Sequence, residues 1–332
     1  MNARLFPYAS RLGFGCASLG SRIGARQGLE ALVRAFDAGV NWFDLAPAYG
    51  DGAAEEIFSR FVRSRRSRIH ICTKYGIAPA RVGRFRQSLR PLAQRVVGAV
   101  PPLRAMVAHA RGAPRRVPLA TAALRAGLEG SLKRLTTDHV EVFALHDPDP
   151  EMLVTEELHR ALEEVVRSGK ARAVGIAGSV EAAAAALRAG LSIAHIQVPD
   201  PPFAAAAAQL AQAAGAQASY FLATHSIYGR ADPVRVVVDR AGSRERLGLL
   251  LASHGYAMPL DRAVRDALVD RALAANPDGV VLLSMFSTAH LHANLARVEQ
   301  GSHRAVALFE ELASVRRADD AIIQCAARHH QL

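Results

Sequence analysis

The stretch HVEVFALHDPDPEMLVTEELHRALEEVVRSGKARAVGIAGS, residues 139–179, contains one complete strand–helix–strand unit of this chain. Its first part is an apolar run that ends in His146, and its last part, at 171–179, is a second apolar run. Between them lies a segment with helical spacing at 156–170, acidic at its start and basic at its end, which suits the helix dipole. Two strands joined by a helix in this way are expected to lie parallel in one sheet.

The same alternation continues on both sides of this unit. Strand-like runs occur at 11–20, 40–46, 68–76, 139–149, 171–179, 192–200, 218–229 and 280–287. Helix-like segments follow them at 28–40, 53–65, 121–135, 156–170, 180–190, 203–214, 262–279 and 288–300, and a last one begins at 303. Eight such pairs predict an α/β fold, and eight is the number that closes a (β/α)8 TIM barrel. A doubly wound open sheet is the alternative. Because no segment resembles a linker, we expect one domain over residues 1–332.

The composition is that of a globular protein. Half of the 332 residues are apolar and 21% are charged. No apolar run approaches the roughly 20 residues that cross a bilayer, and the N-terminal MNARLFPYASR lacks the apolar core of a secretory signal. The three cysteines, Cys16, Cys72 and Cys325, fit neither a metal site nor a disulfide framework. We therefore expect a cytoplasmic protein with no membrane span and no metal site.

Four polar residues follow three consecutive predicted strands. Strand two ends in Asp44, with Tyr49 just beyond it; strand three ends in Lys74, and strand four ends in His146. Active sites of TIM barrels lie at the carboxyl ends of the strands, and neighbouring strands are about 5 Å apart. Each residue alone is more often a surface charge or a cap. Together, at consecutive strand ends, they predict a catalytic site.

This set of side chains suits proton transfer to a carbonyl oxygen. A tyrosine has a pKa of about 10, and an ammonium group beside it, such as Lys74, is expected to lower that value. Asp44 would keep the lysine charged and in place, and His146 would donate a hydrogen bond to the carbonyl oxygen. None of these groups supplies a hydride, so the chemistry calls for a nicotinamide cofactor.

The segments DLAPAY, CTKYG, SLKRLTTDHVEVFALHDPD and GKARAVGIAGS, in that order, resemble the aldo-keto reductase superfamily. The resemblance implies a TIM barrel that binds NADP(H) or NAD(H), with Asp44, Tyr49, Lys74 and His146 as catalytic residues. It implies hydride transfer to or from a small-molecule carbonyl or alcohol: an aldehyde, a ketone or a sugar. The glycine-rich end of strand five is similar to the sugar-oxidising branch that includes L-galactose dehydrogenase.

The resemblance also implies where the cofactor binds. Gln197 on strand six matches the residue that binds the nicotinamide amide. Phe286 stands where members that prefer NADPH often carry lysine or arginine, which weakens the case for a 2′-phosphate. The cofactor-binding residues predicted in this way are Gln197, Ser226, Ser287, His290 and Asn294.

Two strand ends depart from the family pattern. Ala177 and Gly178 replace the Ser-Asn pair that usually follows strand five. On strand seven, Thr224 and His225 lie where an aromatic side chain usually stacks on the nicotinamide. The altered positions Ala177 and Gly178 motivate an alternative function, in which the barrel binds NAD(P) as a sensor or subunit with little turnover.

The formal net charge is +11, and much of it comes from one segment. Residues 77–119 follow strand three and contain nine arginines and no acidic residue. We hypothesise that this Arg-rich insertion is a lid over the substrate mouth that favours an anionic substrate. A loop without a ligand and a patch for a membrane surface or an acidic partner are the alternatives. We expect no nucleic-acid partner, and the sequence does not predict the oligomeric state.

Overall fold

The computed structural model describes residues 6–79, 115–214, 219–256, 259–300 and 303–314. Eight parallel strands close into a barrel in which each strand pairs with the next along the chain and β8 pairs with β1. The strands are β1 (Leu12–Gly15), β2 (Trp42–Asp44), β3 (His70–Tyr75), β4 (Val140–His146), β5 (Ala171–Ala177), β6 (His195–Pro199), β7 (Phe221–His225) and β8 (Val280–Leu283). The predicted (β/α)8 barrel is confirmed, and the doubly wound alternative is wrong.

Helices surround the barrel in chain order. They are α1 (Ala25–Asp37), α2 (Ala54–Val62), α3 (Thr121–Leu135), α4 (Glu156–Arg167), α5 (Val180–Arg188), α6 (Ala206–Ala214), α7 (Pro233–Ala241), α8 (Arg244–Ser253), α9 (Leu260–Ala275) and α10 (Thr288–Gln300). The segment 303–314 is also helical. None of the helices in these described ranges is long and apolar enough to cross a bilayer.

The connection between β7 and β8 contains more helix than the sequence predicts. Three helices occur there, whereas the apolar pattern indicates only the third, α9. The side chain of Asp232 caps α7 and that of Ser243 caps α8, and Pro233 begins α7. Such caps stabilise short helices locally, so α7 and α8 form even though their sequences show only a weak helical spacing of apolar residues.

Alternate residues of the strands point into the barrel. The interior cluster contains Trp42, Cys72, Val142, Ala144, Ala173, Ala177, Phe221, Ala223, Val280 and Leu282. Phe6 closes its amino-terminal end, with its ring centroid 5.2 Å from those of Trp42 and Phe221. Since side chains on a strand alternate between faces, Asp44, Lys74 and His146 point inward at the opposite, carboxyl end.

The Arg-rich insertion begins and ends beside the carboxyl end of β3. The backbone N–H of Ala78 donates to the carbonyl of Arg115 over 2.9 Å, and that of Val117 donates to Gly76 over 2.9 Å. Residues 80–114 lie outside the described residues, so the lid over the mouth stays a prediction. The same holds for the single domain over 1–332.

Candidate active site

A buried ion pair forms the base of the site. Lys74 Nζ on β3 donates to Asp44 Oδ1 on β2, and it donates to the carbonyl of Leu45 over 2.9 Å. The two charged residues are 1% and 4% exposed. Burial is the largest single effect on the pKa of Lys74 and lowers it, but Asp44, Tyr49 and Cys72 together outweigh burial and raise that pKa above its ordinary value. Lys74 is therefore a permanent cation at neutral pH.

Tyr49 reaches this pair from the loop that follows β2. It begins a short 3-10 helix, Tyr49–Gly52, and its hydroxyl accepts from Lys74 Nζ over 3.1 Å. The same hydroxyl lies 3.4 Å from Asp44 Oδ2. Gly50 has φ +60°, and a Cβ there would lie 1.9 Å from the carbonyl oxygen of Leu19. Only glycine allows this loop to pack against the loop after β1, which places Tyr49.

The pKa of Tyr49 differs from the sequence-based expectation. Burial and the Asp44 carboxylate raise it above its ordinary value, and together they outweigh the lowering effect of Lys74. Lys74 lowers this pKa as expected, but its effect is smaller than that of burial and Asp44, because the sequence does not show how deeply the hydroxyl is buried. Tyr49 is therefore protonated in the cofactor-free protein.

His146 lies beside Tyr49 at the end of β4. The two ring centroids are 5.8 Å apart and the planes are nearly perpendicular, at 88°. Burial, together with the charges of Lys74 and His225, lowers the pKa of His146 to about 3. The imidazole is therefore neutral at physiological pH. Its Nδ1 is buried and has no hydrogen-bond partner among the described residues.

Two of the predicted cofactor residues, Gln197 and Ser226, lie on or directly after β6 and β7, at the carboxyl end of the barrel. Gln197 is buried on β6, is paired in register with Ala177 of β5, and has its Oε1 3.8 Å from Cys72 Sγ. Ser226 follows β7, is exposed, and has φ 54°. Its Oγ lies 2.9 Å from Nδ1 of His225. Gln197 thus faces the site, and Ser226 lies at its rim.

The other predicted cofactor residues lie at the start of α10. Ser287 directly precedes this helix and accepts, through its carbonyl, from the N–H of Leu291 over 3.0 Å. Ser287 and His290 are exposed, and Asn294 is buried one turn further along. The free N–H groups of a helix start favour an anion. Ser287, His290 and Asn294 thus form a second group of predicted cofactor residues, after β8, separate from Gln197 and Ser226.

Phe286 is turned away from this helix start. It is 6% exposed, and its ring meets that of Phe14 edge to face with centroids 4.8 Å apart. Its carbonyl accepts from a guanidinium nitrogen of Arg34 over 3.4 Å. The side chain of Phe286 is therefore part of the core and does not face the start of α10.

The structure thus brings Asp44, Tyr49, Lys74 and His146 together and places Gln197 at the same mouth. Sequence reasoning did not select Cys72, although it lies two residues before Lys74 and shares its face. Burial raises the pKa of the Cys72 thiol, which makes it unreactive. The described residues contain no group of three or more side chains that could hold a metal ion.

Comparison with known proteins agrees with this geometry. The sequence profile of the aldo/keto reductase family matches residues 11–214. Aldo-keto reductase YhdN of Bacillus subtilis is 28% identical over 174 residues, which are 51% of this chain and 43% of the relative. L-galactose dehydrogenase of Arabidopsis thaliana is 27% identical over 174 residues, or 51% of this chain and 44% of the relative. These matches therefore span less than half the length of the relatives.

Solved structures show the same fold over most of the chain. The glycerol dehydrogenase of Gluconobacter oxydans has a TM-score of 0.66 at 17% identity, covering 92% of this chain and 91% of that one. An aldo-keto reductase of Klebsiella pneumoniae in complex with NADPH has a TM-score of 0.57 at 20% identity, covering 93% and 91%. Because the family profile matches more than half of the 332 residues, the chain belongs to the aldo/keto reductase family.

Proposed function

We propose that the protein is an NAD(P)-dependent oxidoreductase that transfers a hydride between nicotinamide and a carbonyl or alcohol. One observation carries the proposal: Lys74 Nζ is within hydrogen-bond distance of both the Asp44 carboxylate and the Tyr49 hydroxyl. His146 lies beside that hydroxyl. A phenol, a fixed cation and a neutral imidazole at one point suit a carbonyl oxygen that gains negative charge.

Tyr49 is the proposed proton donor. Its raised pKa keeps the proton on the phenol until the carbonyl oxygen gains charge. Lys74, held by Asp44, then stabilises the phenolate that remains. In the alcohol-oxidising direction the same phenolate accepts the proton. General acid–base catalysis of this kind typically contributes about 10² to 10⁴ in rate.

His146 is proposed to orient the substrate. A neutral imidazole can donate one hydrogen bond to the carbonyl oxygen without competing with Tyr49 as an acid. The low pKa of about 3 supports the neutral form throughout the physiological range. The oxygen would then receive hydrogen bonds from Tyr49 and His146 together.

NADP(H) or NAD(H), when bound, supplies or accepts the hydride. The residues present fit such a group: Gln197 offers an amide at the mouth, and Gly15 and Ala177 leave the inward positions of β1 and β5 small. The start of α10 offers N–H groups for a phosphate. The residues proposed to hold the cofactor are Gln197, Ser226, Ser287, His290 and Asn294.

The proposed substrate class is a small aldehyde, ketone or sugar. Several relatives are named for sugar reactions, among them L-galactose dehydrogenase and the D-threo-aldose 1-dehydrogenase of a Pseudomonas species. The latter is 30% identical over 51% of this chain and 50% of its own length. An exposed cation also lies near the mouth: a guanidinium nitrogen of Arg116 is 3.2 Å from a carboxylate oxygen of Asp147, the residue after His146. The charge of the Arg-rich insertion supports an anionic substrate.

The test is steady-state oxidation of NADPH and NADH with simple aldehydes and with aldoses. We expect turnover by the wild type and a loss of about 10² to 10⁴ in the Tyr49→Phe variant. Full activity of Tyr49→Phe would refute the mechanism. A wild type that binds NADPH without turnover would favour the sensor or subunit function, and one relative is named as a probable voltage-gated potassium channel subunit beta.

A further inference from the structure

His225 occupies the inward position at the carboxyl end of β7. Phe221 and Ala223, on alternate positions of the same strand, both belong to the interior cluster. Because side chains alternate along a strand, His225 points to the same side. In register it pairs with Pro199 of β6, two residues beyond the pair formed by Gln197 and Ala223. Its imidazole therefore lies at the mouth, on the strand next to Gln197.

The ring of His225 is held by its neighbour. Its Nδ1 and the Oγ of Ser226 are 2.9 Å apart. Ser226 has φ 54°, in the left-handed region that residues other than glycine rarely adopt. Such strained residues persist where surrounding structure holds them, and they are frequent at functional sites. This contact leaves Nε2 for another partner.

The imidazole is close enough to the proton-transfer residues to feel their charges. Burial lowers the pKa of His225 to about 4, with Asp44 opposing the shift and Lys74 adding to it. The ring is therefore neutral at physiological pH and combines one hydrogen-bond donor with one acceptor. It lies across the mouth from His146, whose pKa it also lowers.

The end of β5, on the other side of β6, carries only small residues. Ala177 is the last residue of β5, and a Cβ on the following residue, Gly178, would lie 3.2 Å from Cα of Asp147 and 3.3 Å from Cδ of Pro148. A side chain at that position would require the loop after β4 to move by a few tenths of an ångström. Polar recognition on this side of the mouth therefore comes from β6 and β7.

We propose that His225 binds the carboxamide of the nicotinamide ring beside Gln197, whose role there is already part of the proposed function. A primary carboxamide has one acceptor oxygen and an NH₂ donor, and the amide of Gln197 and the neutral imidazole of His225 complement both. This inference rests on the proposed function, because it requires a nicotinamide cofactor.

The test measures binding, by calorimetry at pH 7.5, of NADH and of ADP-ribose, which has the same adenosine and diphosphate but no nicotinamide. His225→Phe keeps a ring and removes the hydrogen bonds. We expect it to bind NADH about tenfold more weakly, the loss of roughly one hydrogen bond, with unchanged affinity for ADP-ribose. His225→Asn, which restores polar groups, is expected to recover most of the loss.

Thr224→Val is the matched control, because Thr224 is the preceding residue on β7 and its buried hydroxyl has no partner among the described residues. It is expected to bind both ligands like the wild type. Wild-type affinity of His225→Phe for NADH would overturn the inference, and so would an equal loss for both ligands. A wild type that binds neither NADH nor NADPH would instead refute the proposed function.

Discussion

The two halves of the barrel mouth are organised differently. On β2, β3 and the loop after β2, the side chains of Asp44, Lys74 and Tyr49 bond directly to one another, so folding alone assembles them. His146 at the end of β4 lies against the ring of Tyr49. On β6 and β7, Gln197 has a weak sulfur contact and His225 bonds to the adjacent Ser226. The first half, which we call the proton half, is complete within the chain. The second, the cofactor half, presents polar groups for a ligand to complete.

This difference has an energetic basis. A buried charge is tolerated only with its partner, so the proton half cannot lose one member without a large cost. The cofactor half must keep polar side chains available for hydrogen bonds to a ligand, and binding of the ligand then stabilises the folded protein. Variants of the proton half should therefore change stability and turnover, and variants of the cofactor half should change affinity.

The largest effect is expected for Lys74→Met. Removal of the ammonium leaves the Asp44 carboxylate buried, and the free energy of unfolding should fall by roughly 3 to 5 kcal/mol. Urea denaturation measures the change. The double variant Lys74→Met/Asp44→Leu removes both charges and should recover most of the loss. If Lys74→Met alone is as stable as the wild type, the proton half is not held by this pair.

A smaller effect on stability is expected when the pH is lowered, because the buried His195 on β6 resists protonation in the folded protein. This residue is 0% exposed, and its ring lies against that of Trp42 with centroids 5.5 Å apart. Burial and the charge of Lys74 lower its pKa to about 3. The unfolded chain, with a histidine pKa of about 6.5, binds the proton first as pH falls.

Stability should therefore decrease below about pH 6.5, with a contribution from His195 of about 1.4 kcal/mol per pH unit. The pKa values of His70, His146 and His225 are lowered as well, so these residues add to the wild-type slope. Urea denaturation of His195→Phe between pH 6 and 4 should show that the free energy of unfolding decreases less steeply with falling pH, by about 1.4 kcal/mol per pH unit. An unchanged slope would mean that His195 is already protonated or solvated in the folded state.

The smallest effect is expected at the start of α10. Ser287→Ala removes one exposed hydroxyl from the proposed phosphate site, and affinity for NADPH should fall about fivefold, or roughly 1 kcal/mol. His292→Ala, an exposed position on the same helix, should leave the affinity unchanged. Equal losses in the two variants would show that the hydroxyl makes no specific contact. Calorimetry with NADPH measures both.

Much of the fold and of the proton half follows from the sequence. Alternation of strand and helix signals predicts all eight strands, and the bounds of α3 and α10 agree with the prediction. The convergence of Asp44, Lys74 and His146 requires only the rule that parallel strands end at one face. The helices α7 and α8 were not predicted, because their stability comes from side-chain caps.

The cofactor half was harder to predict. A shift of one residue along β7 exchanges the inward and outward faces, so the sequence alone does not decide between Thr224 and His225. The register with β6 and the interior cluster place His225 inward. The direction of the Tyr49 pKa depends on burial, which spacing along the chain does not reveal.

The most direct test of the account is the affinity of Tyr49→Phe for NADPH, measured by calorimetry beside the wild type. Since Tyr49 bonds within the proton half, its hydroxyl should contribute to proton transfer and not to cofactor binding. We expect a dissociation constant within about twofold of the wild type in a variant that has lost turnover. Affinity that falls in parallel with turnover would contradict the separation of the two halves.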